Sequence, residues 1–149
     1  ALSSELLSYY FTDFPDPIFM GNSRVYATPH LGASTMEAEE NCAIMAAEQL
    51  DEFIRFGNIK NSVNFPDVRL DSNAQYRIAV ANRNVPGLLG ELMSVLADKN
   101  INVIDMINKS RRDVAYNLID IDAEPTIGLI ETINSIKDIL SLRGLNLKF

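Results

Sequence analysis

Residues 76–124 decide the fold, and they read YRIAVANRNVPGLLGELMSVLADKNINVIDMINKSRRDVAYNLIDIDAE. The run begins with a β-prone segment at 76–82, and apolar residues then recur at helical spacing over 85–100. Two further strand-like segments follow at 101–110 and 115–124, separated by a short charged turn. This stretch therefore predicts strand, helix, strand, strand.

The C-terminal segment completes a repeated pattern. A helix is predicted over 126–140, and a last strand over 145–149. The order βαββαβ is that of a ferredoxin-like split unit, so the predicted fold class is α+β. One antiparallel sheet is expected to carry both helices on one face and to leave the other face for a partner. The apolar positions of the last predicted helix are Ile130, Ile133, Ile136, Ile139 and Leu140.

Working back from this unit, the first half predicts two short strands, at 8–14 and 23–28, and then a long helix over 35–56. Ser34 and Glu37 match the capping box that begins helices, and Gly57 suits a helix C-cap. An extended connector is predicted over 58–75. The helix carries one apolar stripe, Ala38, Cys42, Met45, Ala46, Gln49 and Phe53.

Composition limits the possible partners and location. The net charge is −7, and residues 1–75 hold eleven of the 20 acidic side chains but only four of the 13 basic ones. This balance argues against a nucleic-acid partner, and the apolar runs are too short to span a membrane. A single cysteine fits a cytoplasmic protein. Because the chain opens in mid-pattern without a methionine, we expect a piece of a longer protein.

The only histidine, His30, lies in TPHLGAST (residues 28–35), behind a strand that ends in Asp13-Phe14. Imidazole suits proton transfer near neutral pH, although a lone histidine is more often structural. TPHLGAST, with YYFTDFP at 9–15, AEENCAIMAAEQLDEFIRFG at 38–57 and NSVNFP at 61–66, resembles the D-isomer-specific 2-hydroxyacid dehydrogenases. The tail resembles an ACT domain, the amino-acid-sensing module that ends one branch of that family.

The resemblance implies that His30 is the general acid/base of a parent enzyme that uses NAD. It also implies that the glutamate orienting this imidazole, the substrate arginine and the glycine-rich dinucleotide turn lie upstream of residue 1. No two glycines of this chain are separated by a single residue, so a G-x-G phosphate turn is absent from the sequence. We therefore expect no NAD bound to this chain alone.

By the same resemblance, the chain divides into three segments. Residues 1–57 correspond to the end of the nucleotide-binding domain and its crossover helix, and 58–75 to a connector from the substrate lobe. Residues 76–149 correspond to the ACT regulatory domain.

A second candidate site lies around the start of the helix after the first ACT strand. Free N–H groups at a helix N-terminus favour a carboxylate, and Gly87 permits close approach of a ligand to the backbone. Asn84 and Asn102 are expected to meet over that helix end and bind an ammonium or hydroxyl group; alternatively, Asn84 caps the helix and Asn102 is a turn residue. The candidate effector-binding residues are Asn82, Asn84, Val85, Pro86, Gly87, Leu88 and Asn102.

The ACT resemblance implies that these residues bind an amino acid across a dimer interface. Asn82 departs from the histidine that several serine-inhibited members carry, so serine is one candidate effector among the amino acids. A homo-oligomer, dimer or tetramer, is expected through the C-terminal domain. No metal site is predicted.

Three hypotheses about the function follow. The chain is the regulatory end of a dehydrogenase, or a stand-alone amino-acid-binding or dimerising module, or a plain oligomerisation domain with a vestigial cleft. Two remaining signals favour structural readings. The cations Lys109, Arg111 and Arg112 are expected to form a solvated turn rather than a phosphate grip, and Cys42 is expected to be a small apolar filler in the helix stripe.

Overall fold

The computed structural model describes residues 6–71 and 73–148. It forms two compact units that divide between Ala46 and Ala47, inside the long helix. The boundaries of the three segments predicted from the sequence, 1–57, 58–75 and 76–149, do not coincide with this division. That three-segment division stays a prediction. The elements are β1 (Tyr10–Thr12), a 3-10 turn (Pro17–Phe19), β2 (Val25–Ala27), α1 (Met36–Phe56), β3 (Tyr76–Arg83), α2 (Leu88–Asp98), β4 (Val103–Arg111), β5 (Val114–Ile121), α3 (Ile127–Asn134) and β6 (Ile139–Asn146).

The C-terminal sheet has the order β4-β5-β3-β6, and all its neighbouring strands are antiparallel. Together with α2 and α3 this is the ferredoxin-like βαββαβ arrangement, so the predicted α+β class is confirmed. The register pairs Tyr76 with Ile121 and Arg83 with Val114. The two central strands, β3 and β5, are buried along nearly their whole length.

One face of the sheet is covered by the two helices, as predicted. Alternate residues of the central strands point to this face, because successive side chains of a strand point to opposite sides. They pack against one face of each helix, and the buried cluster is Ile78, Val80, Leu92, Leu96, Ile119, Ile121, Leu129 and Ile133.

The prediction that the other face of the sheet is left open for a partner is wrong, because the described part of the connector, residues 58–71 and 73–75, covers that face. Val68 is fully buried there, and Leu70 is 9% exposed. The Phe65 ring lies edge-on to the Tyr116 ring at 5.9 Å between centroids. An antiparallel bridge between Ile59 and Val68 folds the connector back on itself. The buried members of this second cluster are Val68, Leu70, Ala79, Ala81, Tyr116 and Leu118.

Two cations predicted to be solvated instead hold the connector to strand β4. The Lys109 Nζ donates to the Asp67 carbonyl at 3.0 Å. The Arg111 Nη1 donates to the carbonyls of Ser62, at 3.0 Å, and Phe65, at 3.4 Å. Charged donors satisfy backbone carbonyls strongly, so these residues are structural.

The C-terminal end of α1 is held by side chains from three strands of the sheet. Carbonyls in the last turn of a helix lack intrahelical donors. The Tyr116 hydroxyl donates to the Gly57 carbonyl at 2.8 Å, and the Arg77 Nη1 donates to the Phe56 carbonyl at 2.8 Å. The Arg143 Nη2 donates to the Phe53 carbonyl at 2.6 Å. The sheet therefore satisfies the end of this helix and places positive charge at its negative pole.

Arg77 also forms a buried ion pair with Asp120. The two side chains are 1% and 0% exposed. The Arg77 Nη2 lies 3.0 Å from the Asp120 Oδ2, and the Nε donates to the Oδ1. The same Nη2 donates to the Leu70 carbonyl at 2.8 Å. A single guanidinium thus joins the sheet, the connector and the end of α1.

Gly57 is confirmed as the C-cap of α1. Its φ is +73°, in the left-handed region where a residue with a Cβ is strained. Its N–H donates to the Phe53 carbonyl at 3.0 Å. A Cβ there would lie 2.9 Å from the Leu118 Cδ2, so the sheet also leaves no room for one.

Both predicted limits at the start of α1 and the end of α3 need correction. The Thr35 Oγ1, not Ser34, accepts the Ala38 N–H, at 3.1 Å, so the predicted Ser34–Glu37 capping box is wrong. Helix α3 ends at Asn134, and the strand predicted at 145–149 begins earlier, as β6. Ile136 and Ile139 continue the helical spacing, but pairing with β3 overrides that local pattern.

The N-terminal unit exposes its apolar residues. Strands β1 and β2 form a parallel pair on their own, and none of the described residues of α1 is buried. Cys42 is exposed, so its predicted role as a packed filler is wrong. The described part of the chain leaves Cys42, Met45 and Phe53 of the predicted apolar stripe exposed.

The buried pair of Arg77 and Asp120 predicts that removing one partner destabilises the fold more than removing both. Arg77→Met leaves an uncompensated carboxylate, which should lower the free energy of unfolding by about 3–5 kcal/mol. Arg77→Met with Asp120→Leu should recover only the part due to the unpaired carboxylate, because the Phe56 and Leu70 carbonyls still lack their donor. Urea denaturation followed by circular dichroism measures both. Arg69→Met, which breaks an exposed pair with Asp71, is the control and should cost less than about 1 kcal/mol. Equal effects of Arg77→Met and Arg69→Met would contradict the assignment.

Tyr116 predicts an alkaline pH dependence. Burial raises the pKa of its phenol above 10.0, against the opposing effect of Arg143 and Arg77. Above pH 10 the unfolded chain releases this proton while the folded chain keeps it, so the free energy of unfolding should fall as the pH rises. Urea titrations at pH 8 and 10.5 should show a smaller fall for Tyr116→Phe than for wild type. An identical fall would refute this.

Candidate functional site

The first candidate site is a histidine–aspartate pair at the carboxyl ends of β1 and β2. Parallel pairing places the residues that follow both strands at one edge. The His30 Nδ1 lies 3.0 Å from the Asp13 Oδ2. The Phe14 ring meets the imidazole edge-on, 5.6 Å between centroids. A carboxylate at Nδ1 fixes the tautomer that leaves Nε2 free to exchange a proton.

Asp13 corrects one expectation from the sequence. The carboxylate that orients the imidazole was expected only upstream of residue 1, yet Asp13 supplies one within the chain. The signal was available, since Asp13 follows the first strand and His30 closely follows the second. Recognising it required knowing that the two strands pair in parallel, which their separate sequences do not reveal.

The second candidate site begins at the loop between β3 and α2. The Asn84 N–H donates to the Asp113 carbonyl at 2.9 Å, and its Nδ2 donates to the Arg112 carbonyl at 3.2 Å. Asn84 therefore binds the β4–β5 turn and does not cap α2. Gly87 occupies the N-cap position with φ +89° and offers no side chain. Leu88 is buried at the start of α2, whereas Val85, in the loop, is 41% exposed.

Asn102 lies at the opposite end of the sheet. Its N–H donates to the Asp122 Oδ1 at 2.9 Å, and its carbonyl accepts the Asp122 N–H at 3.2 Å. Strand β5 runs its full length between Asp113, the contact of Asn84, and Asp122. At ~3.3 Å per residue this separates the two asparagines by roughly 30 Å. The expectation that they meet over one helix end is therefore wrong within a single chain.

Asn82 is 4% exposed and uses its amide inside the sheet. Its Oδ1 accepts from the Asn117 Nδ2 at 2.7 Å, and its Nδ2 donates to the Arg83 carbonyl at 2.7 Å. The Asn117 Oδ1 in turn accepts from the Asn108 Nδ2 at 2.5 Å. Sequence reasoning named Asn82 as a ligand contact and missed this row of amides, which becomes visible only once the strand register is known.

A cavity of about 310 Å³ opens beside the Asn84 contact at the β4–β5 turn. Arg112 lies in its wall with a left-handed backbone, φ +56°. The cavity is lined by Val63, Asn64, Arg111, Arg112, Asp113 and Val114.

Two further features concern metal ions and membranes. Within residues 6–71 and 73–148, no group of three His, Cys, Asp or Glu side chains is placed to hold a metal ion. In the same part of the chain, no helix is long and apolar enough to cross a membrane.

The fold and the two sites define a chain that carries a histidine–carboxylate pair ahead of a ferredoxin-like lobe. No protein-family model matches it. It is similar to D-3-phosphoglycerate dehydrogenases. It is 32% identical to that of Escherichia coli over 103 residues, 69% of this chain and 25% of the relative. It is 30% identical to that of Dictyostelium discoideum over 119 residues, 79% of this chain and 29% of the relative.

A third relative, D-3-phosphoglycerate dehydrogenase 2 of Saccharomyces cerevisiae, is 36% identical over 104 residues, 66% of this chain and 22% of the relative. The matched part of this chain is thus about a quarter of the length of these relatives. The expected resemblance to this dehydrogenase family is confirmed over most of the chain.

Among solved structures, the chain is similar to the ACT domain of the GTP pyrophosphokinase of Chlorobium tepidum. The identity is 11% and the TM-score 0.42, over 47% of this chain and 95% of that one. It is also similar to the regulatory subunit of aspartate kinase from Thermus thermophilus. There the identity is 18% and the TM-score 0.39, over 53% of this chain and 56% of that one. The fold assignment itself rests on the strand order of the sheet.

Proposed function

We propose that this chain is the C-terminal regulatory part of an NAD-dependent D-3-phosphoglycerate dehydrogenase of serine biosynthesis, located in the cytoplasm. Its βαββαβ lobe would be an ACT domain that binds an amino-acid effector, serine being one candidate. The observation that carries the proposal is the combination of the His30–Asp13 pair with this lobe in one chain. Similarity of at least 30% to three such dehydrogenases supports it.

In the parent enzyme His30 would exchange a proton with the substrate hydroxyl, and Asp13 would hold the imidazole in the required tautomer. NAD, when bound to the parent, accepts the hydride. No residue of this chain is assigned to NAD, because the chain has no G-x-G turn to cradle a pyrophosphate. The two side chains are 67% and 51% exposed, which suits a site completed by residues outside this chain.

The proposed effector site is formed by two copies of the chain. Asn84 and Asn102 lie at opposite ends of the sheet, so one copy cannot bring both to one ligand. Strand β4 is an edge strand, and Ile104 on it is 53% exposed. If two β4 strands pair antiparallel about a two-fold axis, the start of each strand lies beside the end of the other. Asn102 of one copy then approaches the β4–β5 turn to which Asn84 of the other copy is bonded.

This arrangement supplies groups that suit an amino acid. The N-terminus of α2 after Gly87 favours the carboxylate, and the asparagine carbonyls accept hydrogen bonds from an ammonium group. The cavity at the β4–β5 turn shares Arg112 and Asp113 with the Asn84 contact, but its other lining residues belong to the connector and to the ends of β4 and β5. The main alternative is a module that binds amino acids or dimerises without catalysis. The C-terminal unit has a buried apolar cluster on each face of its sheet, so it can fold without another domain. This property favours the alternative.

The effector site predicts complementation between two variants. Free amino acids are first screened by thermal melting, and the effector should raise the melting temperature by roughly 5 °C at a hundredfold excess over Kd. Asn84→Ala and Asn102→Ala should each weaken its binding at least about tenfold. An equal mixture of the two variants should restore binding at about a quarter of the wild-type number of sites, because half of the dimers are mixed and each mixed dimer holds one intact site of two.

Isothermal titration calorimetry measures the number of sites, with Asn134→Ala on the exposed end of α3 as the matched control. Failure of the mixture to recover would show that both asparagines act in one chain or neither binds. A dimer whose melting no amino acid shifts would favour the plain oligomerisation domain.

The catalytic assignment is tested in the whole parent protein. His30→Gln should lower kcat for 3-phosphoglycerate oxidation by about 10²–10⁴-fold, the usual contribution of a general acid/base. Asp13→Asn should lower kcat less and alter the pH profile, because the tautomer is no longer fixed. Asp16→Asn is the control, since the Asp16 side chain accepts the Ile18 N–H at the start of the neighbouring 3-10 turn. Wild-type kcat in His30→Gln would rule the assignment out.

A further inference from the structure

Three asparagines form a continuous row of hydrogen-bonded amides across three strands. Asn108 is on β4, Asn117 on β5 and Asn82 on β3, and all lie on the helix-covered side of the sheet. Asn117 is 1% exposed and Asn82 is 4% exposed, so two of the three amides are buried in an otherwise apolar layer. We name these three residues the asparagine row.

All three amides point the same way. Each Nδ2 donates to the next acceptor, from Asn108 to Asn117, from Asn117 to Asn82, and from Asn82 to the Arg83 carbonyl. The row therefore ends on one side at Arg83, the last residue of β3. On the other side it begins at Asn108, which is exposed at the open edge of β4.

The amide of Asn108 is only partly used. Its Nδ2 donates one of its two N–H groups to the Asn117 Oδ1. Within residues 6–71 and 73–148, no group donates to the Asn108 Oδ1. One free acceptor and one free N–H on the same amide are self-complementary: two such groups facing each other satisfy both. Hydrogen bonds in a row also polarise one another, which strengthens the terminal acceptor.

We propose that Asn108 fixes the register in which two copies of this chain associate, by pairing with Asn108 of a second copy across the two-fold axis. The inference rests on the self-association proposed above and adds the residue that determines its specificity. The partner is a second copy because a two-fold interface sets each residue on the axis against itself. The joined rows then form six amides across both sheets.

The position of Asn102 agrees with this axis. Antiparallel pairing about Asn108 sets Asp105 of one copy opposite Arg111 of the other, the last residue of β4, so Asn102 lies just beyond that strand end. Pairing about Asn108 therefore brings Asn102 of one copy to the β4–β5 turn of the other. That turn is where Asn84 is bonded, through Asp113 and Arg112. The free amide and the divided effector site are thus compatible with one and the same axis.

A single polar pair on an axis selects one register more than it adds affinity. Apolar replacement of a buried polar group can be energetically neutral, while its loss permits other alignments. The register of a strand is weakly specified where neither face is buried, and most residues of β4 are exposed. The decisive test therefore changes the charge at the axis rather than simply deleting the amide.

The experiment uses Asn108→Asp and Asn108→Lys in the full chain. Each variant alone places two like charges at the axis and should weaken self-association at least tenfold. An equal mixture should recover association near the wild-type level, with mixed dimers well above the statistical half. Sedimentation equilibrium gives the association constants, and native mass spectrometry gives the fraction of mixed dimers. Recovery in the mixture also shows that both variants fold.

The matched control is Ser110→Asp and Ser110→Lys, on the same strand and the same face. If the axis passes Asn108, the two copies of position 110 lie four residues apart along the strands, about 13 Å. That exceeds the screening length of about 8–10 Å in physiological salt, so this mixture should stay statistical. Preference for mixed dimers at position 110 but not 108 would overturn the proposal.

A wild-type dimer that both Asn108 variants leave unchanged would likewise overturn it. A wild type that stays monomeric at 200 µM, on the order of the highest usable concentration, would instead overturn the self-association on which it rests.

Discussion

The buried ion pair between Arg77 and Asp120 is the constraint on which the C-terminal lobe depends. A buried charge pair is tolerated only when its remaining donors and acceptors are satisfied. The Arg77 guanidinium meets this condition by donating to the carbonyls of Phe56 and Leu70 as well. The sheet, the connector and the last turn of α1 are therefore parts of one hydrogen-bonded structure, and the second face of the sheet is closed from within the chain.

Closure of both faces determines where this lobe can meet another molecule. Helices α2 and α3 cover one side, and the connector covers the other, where Lys109 and Arg111 bind its carbonyls. The sheet keeps its edges, and β4 is the edge next to both halves of the proposed effector site. Association and ligand binding can then be coupled without a conformational change. Strand β4 carries the proposed interface and also leads into the turn to which Asn84 is bonded.

Periodicity was sufficient to predict the βαββαβ order and the helix-covered face, and the glycine at the end of the helical pattern predicted the C-cap at Gly57. It failed where long-range pairing overrides local pattern, as in Ile136 and Ile139, whose helical spacing continues into a turn and a strand. It also failed for the connector, because Phe65, Val68 and Leu70 are spaced three and then two residues apart and so fit no single period. The asparagine row, the His30–Asp13 pair and the wide separation of Asn84 and Asn102 all depend on strand register, which a single sequence does not contain.

The most direct test of the account is a pair of spin-label distances between positions 102 and 113, measured with Cys42 replaced by serine. Doubly labelled chains diluted in unlabelled protein report the distance within one chain, and a mixture of singly labelled chains reports the distance between copies. We expect about 30 Å within a chain and less than about 15 Å between copies. A short distance within one chain, or only long distances between copies, would contradict the two-copy site.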